Sequence, residues 1–218
     1  MNNQAAVLWI LYYTALVMSC VVHEYCHAWM AYRSGDDTAK LMGRLTLNPI
    51  VHIDPIWTVL MPILTGLGGP KPVPINPYRF RRLRLDYPLV AVAGPVSNLA
   101  IAASCGMLLR FGPAPKGSFI ENYMALVILL NLGLTIFNLL PIPPLDGSRI
   151  LESILPRQLN AAFQRMGMFG MVILVLLINS RIFHVLFGYV LHATWTIMGL
   201  DTDILGRLYL PSIWSLFR

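Results

Sequence analysis

The sequence predicts an all-α polytopic membrane protein, and three observations lead there. Of 218 residues, 56% are hydrophobic and only 12% charged, about half the charge with which a soluble domain covers its surface. The mean hydropathy is +0.64. Runs free of Lys, Arg, Asp and Glu recur along the chain, and the longest are long enough as helices, at 1.5 Å per residue, to cross a ~30 Å hydrocarbon core.

The first apolar run, Ala5 to Tyr32, contains no Lys, Arg or Asp, and Glu24 is its only formal charge. It is longer than a signal-peptide core and lacks a basic leader, so it reads as a retained helix. Pro55–Pro70 is short and interrupted by Pro62, Gly66, Gly68 and Gly69, which predicts a re-entrant or half-membrane segment. Prolines at 70, 72 and 74 then predict an extended stretch up to Pro77. Tyr87–Leu109 and Asn122–Leu145 are the second and third crossings, completing a three-helix core. Met166–Ser180 and Ile182–Leu200 supply one or two further C-terminal membrane helices. A single membrane-embedded domain over 1–218 is expected, with its core in 5–147 and C-terminal helices in 166–200.

Orientation follows from the basic residues. Arg33, Lys40, Arg44, Lys71, Arg79, Arg81, Arg82 and Arg84 all fall between the first helix and Tyr87, so the positive-inside bias places that stretch in the cytoplasm. If 55–70 crossed the membrane, the Arg79–Arg84 cluster would be stranded outside; as placed, it meets anionic head groups. Arg149, Arg157 and Arg165 agree with a cytoplasmic exit of the third crossing. The formal net charge of +6 therefore reflects topology, and no nucleic-acid partner is expected. Cys20, Cys26 and Cys105 are isolated in apolar runs, read as small buried hydrophobes, and imply no disulfide.

The first helix carries His23-Glu24-Tyr25-Cys26-His27. On a helix His23 and His27 are one turn apart on the same face, so both imidazoles can meet one metal ion. Glu24 sits beside that face, where it can take a proton from a water the metal activates, as a zinc hydrolase requires. An ionisable residue near the bilayer centre costs at least ~2.5–3.5 kcal/mol on insertion scales. Two histidines and a glutamate in a spanning helix thus point to a function. Catalytic zinc usually takes three protein ligands, and Asp146 is the candidate for the third. It follows Asn138-Leu139-Leu140-Pro141-Ile142-Pro143-Pro144-Leu145, where three prolines break the helix and let a carboxylate turn into the bundle.

These motifs together, His23-Glu24-x-x-His27 and Asn138-x-x-Pro141-x-Pro143-Pro144-Leu145-Asp146-Gly147, resemble the site-2 protease family of intramembrane zinc metalloproteases. Leu47–Pro55, Lys71–Pro77 and Ala93–Asn98 fit as well, and the likeness is to the compact prokaryotic branch without PDZ or CBS domains. The resemblance implies that His23, His27 and Asp146 bind Zn2+, that Glu24 activates water, and that Asn138 steadies the substrate carbonyl or its oxyanion. A polar cap on the broken helix is the other reading of Asn138. The implied substrate is a single-pass membrane protein or a signal-peptide remnant, cut inside the bilayer of a prokaryotic cell (inner) membrane near its cytoplasmic side. An unwound substrate could pair with the free side of the 70–77 stretch by strand addition; a rigid connector is the alternative there. A membrane metal-binding protein or transporter without proteolytic activity is the rival function, and Glu24 argues against it, because transport needs ligands but no base beside the first histidine. Weaker candidates have a structural reading first and a site reading second: His52 and Asp54 as caps of the turn before Pro55 or as partners of a metal ligand, Asn98 as a packing position or a site contact, and His184 and His192 as interfacial or gating residues or as ligands; the methionines of 166–171 read as packing.

Overall fold

The computed structural model describes residues 3–55, 58, 69–165, 167–201 and 203–204. Among the described residues the regular elements are all helical. Most of the window expected to be re-entrant, 55–70, lies outside them, as does Met166 of the methionine-rich stretch.

Helix α1, Asn3–Ser34, ends with Arg33 in its last turn, where a cation complements the helix dipole. Gly35 then turns the chain at φ 111°, a conformation that suits glycine. Two single-turn helices follow, α2 (Thr38–Leu41) and α3 (Pro49–His52), the second capped by the Asn48 side chain, which accepts from the Ile50 amide. The stretch from Gly69 to Asn76 has no helix or strand, and a 3-10 turn at Pro77–Arg79 leads into α4, Leu83–Phe111. Prolines 88 and 95 lie inside α4. Pro95 has no N–H for the Ala91 carbonyl one turn earlier, and the Thr135 hydroxyl of the neighbouring helix lies 2.8 Å from the Asn131 carbonyl of its own helix and 3.2 Å from the Pro95 carbonyl.

Helix α5, Phe119–Asn138, begins with a reciprocal cap: Ser118 accepts from the Glu121 amide and Glu121 reaches back to the Gly117 amide. It stops at Asn138, seven residues short of the end of the uncharged run Asn122–Leu145. Pro141 offers no N–H to the Phe137 carbonyl and disfavours a helical Leu140. Apolarity marks burial in lipid; it does not mark the helix end.

Next come two helices that a search for apolar windows does not reveal, α6 (Asp146–Ile154) and α7 (Arg157–Arg165), followed by α8 (Gly167–Ile178) and α9 (Arg181–Ile197). Helices α4 and α5 are each long and apolar enough to cross a membrane, and α8 with α9, bent by 70°, forms a third candidate span. The C-terminal windows thus appear as one bent pair.

Helix α4 is central, packing against both α1 and α5. At one end Ala102, Ala125, Ile128, Leu132 and Trp195 form a core with Leu200 and Ile204; at the other Ala31, Phe80 and Val90 pack together, beside a cluster of Ala28, Ala39 and Val73. Large apolar side chains outside these cores, such as Leu85, Leu89, Val96, Leu99 and Met107 of α4, are exposed, as suits a helix bordered by lipid. The site lies between the two cores.

Candidate metal centre

Three helices bring the polar residues together. His23 and His27 come from α1, Asp146 is the first residue of α6, and α4 packs its Val90–Asn98 stretch against both histidines. The His23 and His27 Nε2 atoms lie 3.0 Å apart, and each is 3.1 Å from Asp146 Oδ2. Among the described residues these three form the one group of His, Cys, Asp and Glu close enough to hold a metal ion. All three are buried.

The chemistry of this donor set fits a cation. His27 Nδ1 lies 2.7 Å from the Val90 carbonyl, which only accepts, so Nδ1 carries the hydrogen and Nε2 presents its lone pair. His23 Nδ1 lies 2.6 Å from Asn98 Oδ1. Asp146 presents its carboxylate Oδ2 to both imidazoles from the first position of α6. The α6 N-terminus favours the same anion, and Arg149 stands 3.7 Å from its other oxygen. Two imidazole lone pairs and a carboxylate converging in a dry pocket repel one another unless a cation lies between them. Tetrahedral zinc with bonds of about 2.0–2.1 Å keeps its ligand atoms ~3.3 Å apart, close to the separations seen.

Two glycines make the geometry possible. A Cβ at Gly94 would stand 2.3 Å from His27 Nε2 and 2.5 Å from His23 Nε2, so α4 leaves open the space beside the ligand nitrogens. A Cβ at Gly147 would stand 2.3 Å from the Leu139 carbonyl oxygen. Only glycine lets the proline-broken segment fold back tightly enough to set Asp146 in place.

Glu24 is half-buried, and its Oε2 accepts from the Val73 amide at 2.8 Å. The proline-rich stretch therefore runs over the site. Three of its four donors are already spent: Lys71 N–H goes to the His52 carbonyl, Val73 N–H to Glu24 and Asn76 N–H to Asp36, while the prolines have none. Strand addition through a free row of donors, one of the two readings of this stretch, is left with Ile75 N–H and the carbonyls. The rigid connector fits better.

For Asn98 the structure favours the site contact over packing alone: fully buried, it contacts the metal-ligand candidate His23 directly, and its Nδ2 donates to Asn131 at 3.0 Å. Helical proximity to Gly94 does not reveal where an amide points. Asn138 ends α5 with its amide donating to the Leu134 carbonyl at 3.0 Å. His52 is buried with Nε2 2.9 Å from the Thr46 carbonyl, and the Asp54 amide bonds the Thr58 hydroxyl, both in keeping with turn capping. His184 Nδ1 contacts the Ser180 carbonyl of its own helix and His192 is exposed; neither belongs to the cluster. Sequence reading missed Asn131, Ser19 and the Val73 amide. A polar residue in the middle of an uncharged run was the available signal for Asn131; a backbone amide leaves none.

Comparison with known proteins gives concordant matches. The model of the family described as Peptidase family M50 matches residues 107–178. The chain is 39% identical over 201 residues to "Putative zinc metalloprotease YwhC" of Bacillus subtilis (strain 168), covering 89% of this chain and 88% of the relative. It is 31% identical over 175 residues to "Putative zinc metalloprotease Rip2" of Mycolicibacterium smegmatis, covering 78% and 67%. It is 26% identical over 158 residues to "Zinc metalloprotease MJ0392" of Methanocaldococcus jannaschii, covering 72% and 38%. No solved structure matches the chain.

Proposed function

The chain belongs to peptidase family M50, the site-2 protease family, and on that premise we propose that His23, His27 and Asp146 hold its zinc while Glu24 serves as the general base. The protein is a zinc-dependent intramembrane metalloendopeptidase. The observation that supports this assignment of residues is the convergence of two imidazole Nε2 atoms and one carboxylate oxygen within 3.0–3.1 Å of each other. Zinc, when bound, polarises the scissile carbonyl and acidifies the attacking water.

The chain's own groups do the rest. Glu24 Oε2 is engaged by the Val73 amide, which leaves Oε1 to take the proton from water and later pass it to the leaving amine. Asn138 donates one amide hydrogen to Leu134 and keeps a second N–H for the substrate carbonyl or its oxyanion. Burial of the three ligands excludes bulk water, so the charge that develops is met by fixed groups. The substrate is an unwound transmembrane segment of a single-pass membrane protein or a signal-peptide remnant in a prokaryotic inner membrane. A single unit over 1–218, with its core in 5–147 and C-terminal helices in 166–200, carries out the reaction, and its site opens towards the cytoplasm.

Glu24→Gln tests the reading. It preserves shape and removes the base, so cleavage of a transmembrane reporter by the purified protein should fall by ~10²–10⁴-fold, with zinc content by elemental analysis unchanged. His23→Ala, His27→Ala and Asp146→Ala should each lower the zinc content. Wild-type cleavage by Glu24→Gln would rule out Glu24 as the base, whereas zinc binding without any cleavage by the wild type would favour the metal-binding or transport reading.

A further inference from the structure

A chain of hydrogen bonds runs from the site into the fully buried middle of the bundle, and its direction is determined. Asn131 of α5 places Nδ2 2.8 Å from the Val127 carbonyl and 2.9 Å from the Ser19 hydroxyl of α1. A carbonyl only accepts, so the Asn131 amide must present its nitrogen there and its Oδ1 on the opposite side. That oxygen lies 3.0 Å from Asn98 Nδ2, which orients the Asn98 amide in turn, with Oδ1 turned to His23 Nδ1 at 2.6 Å. His23 must then hold its hydrogen on Nδ1, leaving the Nε2 lone pair facing His27 and Asp146.

We infer that Asn131 is a positioning residue for the metal centre: anchored on the Val127 carbonyl, it fixes the orientation of the Asn98 amide and thereby the tautomer in which His23 can act as a ligand. The inference rests on the metal-site reading and deepens it. Asn98 and Asn131 are both fully buried on helices that cross the membrane, where an amide turned the wrong way round would leave polar atoms unpaired and is disfavoured. Without Asn131 the Asn98 amide loses its reference. It can then rotate to offer Nδ2 to His23, which answers by moving its hydrogen to Nε2, and the lone pair needed for the metal is lost. Ser19 shares the Asn131 amide but does not set the polarity, since a hydroxyl can donate or accept.

The test measures zinc dissociation constants on the full chain in detergent by competition with a chromophoric chelator. Asn131→Leu should bind zinc roughly tenfold or more weakly, the scale on which outer partners of metal-ligating histidines act. Adding Asn98→Asp should restore affinity to within a few-fold, because a carboxylate accepts from His23 Nδ1 whichever way it turns. A purely packing role for Asn131 would not be relieved by this second change. Wild-type affinity in Asn131→Leu, or a loss that Asn98→Asp leaves in place, overturns the inference. Nitrogen-15 spectra of the metal-free wild-type protein labelled in histidine, with His23 identified by its absence in His23→Gln, decide the matter even if Asn131→Leu does not fold. The Nδ1–H form is expected for His23 and the Nε2–H form refutes the relay. A wild type that binds no zinc strikes down the metal reading itself, a different result from either.

Discussion

At Gly94 the absence of a side chain is the functional feature. A methyl group there would stand 2.3 Å and 2.5 Å from the two ligand nitrogens, and it cannot escape because it is fixed to the backbone of a packed helix. Overpacking of this kind costs ~1–3 kcal/mol, which as a metal affinity is roughly 5- to 150-fold. Gly94→Ala should therefore weaken zinc binding by about that factor, measured by chelator competition, while α4 itself gains helix propensity. Zinc bound as tightly by Gly94→Ala as by the wild type would mean that the metal does not sit against this face. At this scale the His23, His27 and Asp146 cluster that the structure brings together was legible in the sequence, as was the proposed base Glu24, because they are titratable groups at spacings that chemistry restricts. Gly94 was visible only as part of a matching stretch, and Asn131 not at all. An uncharged polar residue in an apolar run carries no information about its partner until three helices are packed around it.

The proline-rich stretch illustrates the element scale, where composition gives conformation but not direction. Prolines at 70, 72 and 74 leave a segment without helix or strand, and what it offers the site is one amide, Val73 N–H, which meets Glu24. Val73→Pro removes that donor together with some of the packing of Val73 against Ala28 and Ala39, while the flanking prolines already restrict the backbone. A hydrogen bond to a charged group contributes ~1.5–3 kcal/mol, so kcat for reporter cleavage should fall by roughly 10- to 150-fold with KM and zinc content near wild type. Val73→Ala, which loses similar packing but keeps the amide, should retain most of the wild-type kcat, so the difference between the two variants isolates the hydrogen bond. Equal rates for Val73→Pro and Val73→Ala would show that the contact has no part in positioning Glu24. Helix ends were harder to read than helix existence: α5 stops at Asn138 because of Pro141, although apolar residues continue to Leu145. The amphipathic helices α6 and α7 escaped a search built on uncharged windows.

On the scale of the whole molecule the charges and the packing predict a topology. Basic residues gather at the end of the bundle that carries the site, Arg33, Lys40 and Arg44 after α1, Arg79, Arg81, Arg82 and Arg84 before α4, and Arg149 on α6. At the opposite end stand Arg110 and Lys116, the first against the Met198 carbonyl and the second 3.4 Å from Asp201. The bent pair α8–α9 links the two ends. A Cβ on Gly170 of α8 would strike the Pro143 carbonyl beside the site, whereas α9 finishes next to Arg110. The pair therefore reads as one broken span, a count that the sequence left open because neither of its short windows spans alone. Positive-inside bias then puts Arg82 in the cytoplasm and both Lys116 and Asp201 outside. In a chain with Cys20, Cys26 and Cys105 changed to Ala, Arg82→Cys should react with a membrane-impermeant thiol reagent only from the cytoplasmic face. Lys116→Cys and Asp201→Cys should react only from the other. Labelling of Arg82→Cys from outside alone would invert the orientation, and Asp201→Cys labelling from the same side as Arg82→Cys would make α8–α9 a re-entrant pair and not a crossing.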